Sequence, residues 1–168
     1  MATLRTPKVI RTLTITDFIE KELIKNIGEI KVKYPFIAFS LIFLGIELIG
    51  KCLCPEESFL KGKGRDAFNL CIKTHMKKYE KFIGTEHDMY TNIRNGFAHS
   101  FRQKGKFAFT EKGSQDKNLA RLNNGEIVLH IDDFYKDFII ACNLIINDIK
   151  NGILHNPKFN QPFLKITD

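Results

Sequence analysis

One run, "FIAFSLIFLGIELIG" (Phe36–Gly50), constrains this chain more than any other stretch. As a helix it is apolar nearly all round, so it has to be buried on most of its sides. Ser40 and Glu47 interrupt it, and it falls short of the ~20 residues a bilayer span requires. It therefore predicts a central core helix from about Phe36 to Leu53, stopped by Pro55. The remaining elements must cover it.

Their spacing says how. Ile19, Leu23, Ile27 and Ile30 recur at helical intervals behind Thr16 and Asp17, either of which can cap. Downstream, "KGKGRD" (Lys61–Asp66) reads as a basic, glycine-punctuated loop, followed by a short helix with Phe68, Cys71, Ile72 and Met76 on one face. "GTEHD" opens another helix, with Thr85 three residues before Asp88 in capping-box spacing. The last helix carries Phe134, Phe138, Ala141, Cys142, Ile145 and Ile149 in one stripe, with Asp132 or Asp133 as its cap. Before it the period changes. "KFAFT" (Lys106–Thr110) and "EIVLHI" (Glu126–Ile131) alternate or run β-branched, with "LNNGE" as a turn between or beside them. Residues 1–15 read as an arm, and the proline-spaced residues 156–168 as a surface tail. The expectation is one all-α domain: a four- to five-helix up-and-down bundle, with a short β-hairpin or extended insertion before the last helix.

Composition narrows the class. With 43 % apolar and 27 % charged residues the chain is neither disordered nor fibrous. "MATLRTPKVIRTLTITDF" holds no apolar stretch of signal-peptide length. Cys52, Cys54, Cys71 and Cys142 follow no C-x-x-C spacing, and Cys52-x-Cys54 lacks a partner pair for a tetrahedral site. His75, His87, His130 and His155 share no metal spacing either, and no phosphate loop or catalytic triad stands out. These features predict a soluble, cytoplasmic protein with free thiols, no membrane association, and neither metal nor cofactor.

The net charge of +7 is uneven. Between Lys61 and Arg121 there are 14 Lys and Arg against six Asp and Glu, so the whole surplus lies in the middle third. Such a footprint suits a protein that meets phosphates; a solubilising surface is the plainer reading.

That basic third contains "YTNIRNGFAHSF" (Tyr90–Phe101). On a helix turning about 100° per residue, Met89, Ile93, Gly96 and Phe97 share a core-facing arc. Arg94, Thr91, Ala98, Asn95 and His99 fill the opposite arc, with Arg94 and His99 as the shoulders of a strip floored by small side chains. The residue types suit RNA cleavage. RNA carries its own nucleophile, the 2′-hydroxyl, so an enzyme needs little beyond proton transfer and charge stabilisation. Imidazole exchanges protons near neutral pH, guanidinium grips phosphate oxygens in a fork, and Asn95 can orient either group. One histidine does not easily serve as both base and acid, and a twofold-related chain would supply the second. Alternatively, Asn95-Gly96 ends a helix, Arg94 complements its dipole and His99 is an ordinary surface residue.

"RNGFAH" (Arg94–His99) resembles the hallmark of the HEPN superfamily: arginine, four to six residues of which the first is polar, then histidine; here the gap is four and the polar residue is Asn95. The upstream apolar helix with an acid, Glu47 in "FLGIELIG", also fits, and the resemblance spans roughly residues 35 to 150. It implies a helical bundle that dimerises with both motifs lining one cleft. Many such proteins are metal-independent endoribonucleases of toxin–antitoxin, phage-defence or RNA-processing systems, and others are non-catalytic dimerisation or RNA-binding modules. Carried over, Arg94 stabilises the phosphate, Asn95 positions it and His99 handles the proton. Toxins paired with a nucleotidyltransferase antitoxin often place tyrosine two residues after the histidine. This chain has Phe101 there, which speaks against that pairing, though another antitoxin or regulatory partner is compatible with the resemblance.

Supporting residues follow. Glu47, in the most hydrophobic helix, should reach Arg94 or His99, or else sit at an exposed edge. Tyr90, one turn before Arg94, either stacks on a base or packs. Lys77, Lys78, Arg102, Lys104 and Lys106 are candidates for tracking an RNA backbone.

Overall fold

The computed structural model describes residues 9–54, 63–96, 106–110 and 117–167. The fold is mostly helical, as the apolar periodicity predicts. β1 (Val9–Leu13) leads into a helical stretch made of α1 (Ile15–Phe18), a π-helical segment (Ile19–Asn26) and α2 (Ile27–Lys33). The cap is Thr14, not Thr16: its hydroxyl accepts from the Asp17 N–H, and the Asp17 carboxylate accepts from the Thr14 N–H. Ile19, Leu23 and Ile27 are buried, as their spacing requires, while Ile30 is only partly buried; Ile15 joins them in the core.

Pro35 opens α3 (Pro35–Cys52), where a missing N–H costs no intrahelical bond. By length and composition α3 could cross a membrane, but 61 % of it is buried inside the protein. It packs most extensively on α4 (Gly64–His75). Gly50 permits that approach: a Cβ there would stand 2.0 Å from the Ala67 carbonyl oxygen. A 3₁₀ turn (Lys77–Phe82) and the helix bearing the motif follow. The long last helix, α5 (Ile131–Lys150), buries Phe134, Phe138, Ala141, Cys142 and Ile145.

Phenylalanine fills the centre. Phe134 of α5 lies 5.0 Å from Phe43 and 6.0 Å from Phe39 of α3, and 5.2 Å from Tyr79, centroid to centroid. Each such burial stabilises by about 1.5–3 kcal/mol. Cys52, Cys71 and Cys142 are buried free thiols, and Cys54 is half-buried. Burial pushes the Cys52 thiol up to about 12 and raises the other two buried thiols as well, which leaves them unreactive at neutral pH.

The strands depart from expectation in two ways. β2 (Phe107–Thr110) and β3 (Ile127–His130) pair parallel, Phe107 opposite Ile127 through Thr110 opposite His130, so they are not the two arms of a hairpin. Residues 111–126 are long enough to carry the crossover a parallel pair needs. "LNNGE" does turn, but beside this pair. Gly125, at φ 85°, donates to the Leu122 carbonyl, and the turn closes an antiparallel bridge between Arg121 and Ile127. Second, part of the arm and part of the tail form a sheet. β1 pairs antiparallel with β4 (Leu164–Thr167), and Phe163 packs edge-on against Phe18 at 5.1 Å. Phe159, in the 3₁₀ turn Pro157–Asn160, is buried.

Candidate functional site

The site grows from Glu47. A carboxylate in so apolar a helix has to find counter-charge or leave the core. Glu47 is only 7 % exposed, and two cations reach it. Lys51, one turn on, brings Nζ to 3.1 Å of Oε1, and Arg94 brings Nη2 to 2.5 Å of Oε2. Of the two placements the sequence allows for Glu47, the structure takes the inward one, with Arg94 as partner. The Arg94 contact is close in distance but lacks the angles of a regular hydrogen bond. Among the described residues Glu47 Oε2 and Arg94 Nε are both buried without a hydrogen-bond partner. The pair retains hydrogen-bonding capacity.

Arg94 is presented by a distorted helix. Thr85 does not cap it: the Thr85 hydroxyl donates to the Phe82 carbonyl and accepts from the His87 N–H. Asp88 caps instead. Its Oδ2 accepts from the Gly84 N–H at 2.8 Å, and its Oδ1 from the Thr91 N–H at 2.9 Å and from Arg65 Nη2 at 3.1 Å. Burial by itself would raise this carboxyl. The Gly84, Thr91 and Arg65 donors outweigh it and hold the group below its ordinary value. Residues Tyr90–Arg94 are then π-helical, with the Asn95 N–H donating to the Tyr90 carbonyl five residues back. Turns of this kind recur at functional sites. Met89, Ile93 and Gly96 are buried, as the helical projection requires. Arg94, placed by that projection at the shoulder of the outward arc, is drawn in by Glu47 until its side chain is 18 % exposed.

Tyr90 sits among these charges. Its ring centroid is 5.2 Å from the Arg94 guanidinium carbon and 5.8 Å from that of Arg65, and Phe68 meets it edge-on at 5.5 Å. Burial pushes its phenol above the usual value and Glu47 adds to that, while Arg94 and Arg65 pull the other way. Gly64 lets α4 pass beneath: a Cβ there would stand 2.7 Å from Glu47 Oε1 and 2.8 Å from the Tyr90 hydroxyl. Tyr90 therefore packs within the cluster. Asn95 touches Arg94 only loosely, Oδ1 to Nη1 at 3.4 Å.

The structure thus brings Arg94, Asn95, Tyr90 and Glu47 together. His99 lies outside the described residues, as do Arg102 and Lys104. Lys78 is paired with Asp137 at 2.5 Å and Lys106 with Glu86 at 2.9 Å. Lys77 begins the 3₁₀ turn and lines a hollow with His75, Lys78, Tyr79 and Asp137. Among the described residues no contact joins these lysines to the Arg94 cluster. Sequence reading missed Lys51, Gly64, Arg65 and the capping role of Asp88. The basic string "KGKGRD" was the available signal for Arg65, but nothing local shows that its arginine turns back onto Tyr90.

Fold and site define a mostly helical protein in which a core carboxylate holds an arginine of a basic motif at the surface boundary. No protein-family model matches the chain, and neither a curated protein nor a solved structure matches it.

Proposed function

We propose that this chain is a HEPN-type helical bundle that acts in the cytoplasm as a metal-independent endoribonuclease, with a composite active site formed by two copies. The observation that carries the reading is the grip of Glu47 on Arg94 at the head of "RNGFAH". A guanidinium fixed from behind by a buried acid is preorganised to receive a phosphate oxygen at its remaining exposed edge, which costs no reorganisation as charge develops.

In the proposed reaction the RNA 2′-oxygen attacks the adjacent phosphorus in line and the bond to the 5′-oxygen breaks. The products are a 2′,3′-cyclic phosphate end and a 5′-hydroxyl end. One His99 takes the 2′ proton, and the His99 of the second copy returns a proton to the leaving 5′-oxygen. Arg94 stabilises the charge on the non-bridging oxygens and Asn95 orients the phosphate. General acid–base help of this kind contributes about 10² to 10⁴ in rate. The reading covers toxin, phage-defence and RNA-processing roles alike.

A second reading, a non-catalytic HEPN module for dimerisation or RNA binding, is favoured by another observation. Arg94, Lys78 and Lys106 already hold carboxylates of their own chain. Labelled RNA incubated with the protein and EDTA separates the two. Chelator-resistant cleavage that falls at least 10²-fold in His99→Ala and Arg94→Ala establishes the enzyme. Binding without cleavage in every sample establishes the module, and absence of both rejects the RNA reading.

A further inference from the structure

We infer that a second cation, Arg65 on α4, meets a neighbouring phosphodiester of the strand whose scissile phosphate Arg94 receives; the inference rests on the RNA reading above and names a further residue that holds the ligand.

The charges of the cluster do not cancel. Among the described residues three cations, Lys51, Arg65 and Arg94, face two carboxylates, Glu47 and Asp88, which leaves one positive charge over. Its location follows from exposure. The side chains of Lys51, Arg94, Glu47 and Asp88 are 19 %, 18 %, 10 % and 6 % exposed, whereas that of Arg65 is 53 % exposed. The surplus therefore reaches solvent at Arg65. Its described contacts, to Asp88 Oδ1 and to the Thr91 hydroxyl, both run through Nη2. Nε and Nη1 keep donors for an incoming oxyanion, and a guanidinium binds phosphate through such a fork.

Arg65 is also fixed in place. Asp88 is anchored by the Gly84 and Thr91 backbone, so it holds the Arg65 guanidinium against the same turn of helix that carries Tyr90 and Arg94. A strand phosphate seated on Arg65 would lie beside the Tyr90 ring, one helical turn from Arg94. Asp88 does not repel it strongly, because that carboxylate already accepts two backbone N–H groups and Arg65 itself.

The test uses the full chain and a fluorescein-labelled 2′-O-methyl oligoribonucleotide, which lacks the attacking hydroxyl and cannot be cleaved. Binding is read by anisotropy across a potassium chloride series. Arg65→Gln, which keeps a hydrogen-bonding head for Asp88, and Arg65→Ala should each weaken binding about tenfold at low salt. Each should also flatten the slope of log affinity against log salt by about 0.7, the value for one lost single-strand phosphate contact. Arg65→Lys should keep the slope. A merely structural role would lower the melting temperature without moving the slope in variants that remain folded. If folded Arg65→Gln binds with the parent's affinity and slope, the inference is overturned and the RNA reading survives. If the parent itself binds no RNA at low salt, both fall.

Discussion

Arg94→Ala separates an arginine that only meets substrate from one that also holds the fold together. Removing it leaves Glu47, 7 % exposed, without its closest counter-charge. Breaking a buried pair from one side typically costs 3–5 kcal/mol, roughly. Here Lys51 still stands 3.1 Å from the other carboxylate oxygen, which places the expected loss at the lower end, about 3 kcal/mol. For a chain of this size that lowers the melting temperature by roughly 6–12 °C. Glu47→Ala should cost less, about 1–2 kcal/mol, because partly exposed Arg94 and Lys51 can turn to water. Since the two side chains share one interaction, the double variant should fall short of the sum by about 2 kcal/mol. Urea denaturation of the four proteins closes the cycle. If Arg94→Ala lies within about 0.5 kcal/mol of the parent and the double variant is additive, Glu47 does not hold Arg94 and the preorganised site disappears with it.

Two further outcomes test the surrounding frame. Gly50→Ala would gain about 1 kcal/mol of helix propensity, but its Cβ meets the Ala67 carbonyl oxygen at 2.0 Å. The net should be a loss of about 2 kcal/mol in chemical denaturation, and net stabilisation would mean that α3 and α4 do not approach so closely. The Asp88 carboxyl is held below its ordinary value when folded, so its contribution is complete above the unfolded value near about 4 and disappears as pH falls through the lower folded one. The stability gap between the parent and Asp88→Asn should therefore be widest at neutral pH and close in acid. Denaturation at neutral, mildly acidic and strongly acidic pH reads this directly, and a gap independent of pH refutes the cap.

The parts of the fold visible in the sequence are those whose signal is local. Phe36–Gly50 reads as a core helix from its own residues, and the stripe from Phe134 to Ile145 names its own buried face. The β1–β4 pairing escaped because it joins residues some 150 positions apart; Leu164–Thr167 alternates over four residues only, and Val9–Leu13 does not alternate, so neither declares a partner. "LNNGE" was legible as a turn, but a turn does not say which strand lies on the far side of β3, and there the parallel β2 won. At the site, the cost of burying a carboxylate is enough to predict a partner for Glu47. Arg65 was invisible for the opposite reason: an arginine after glycine in a basic loop has no local cause to turn onto Tyr90, and only the packing of α4 on α3 brings it there.

The π turn at Tyr90–Arg94 amounts to a helix carrying one residue more than its neighbours need. A chain can lose such a residue as easily as gain it. Deleting a single codon inside this turn would restore ordinary winding and leave the segments on either side facing nearly as they do now, because the wide turn absorbs its extra residue locally. Such a turn can therefore come and go without re-aiming Asn95 relative to Met89. A chain with one residue fewer here should keep both the scaffold and the direction of the motif, and differ by one side chain within the turn.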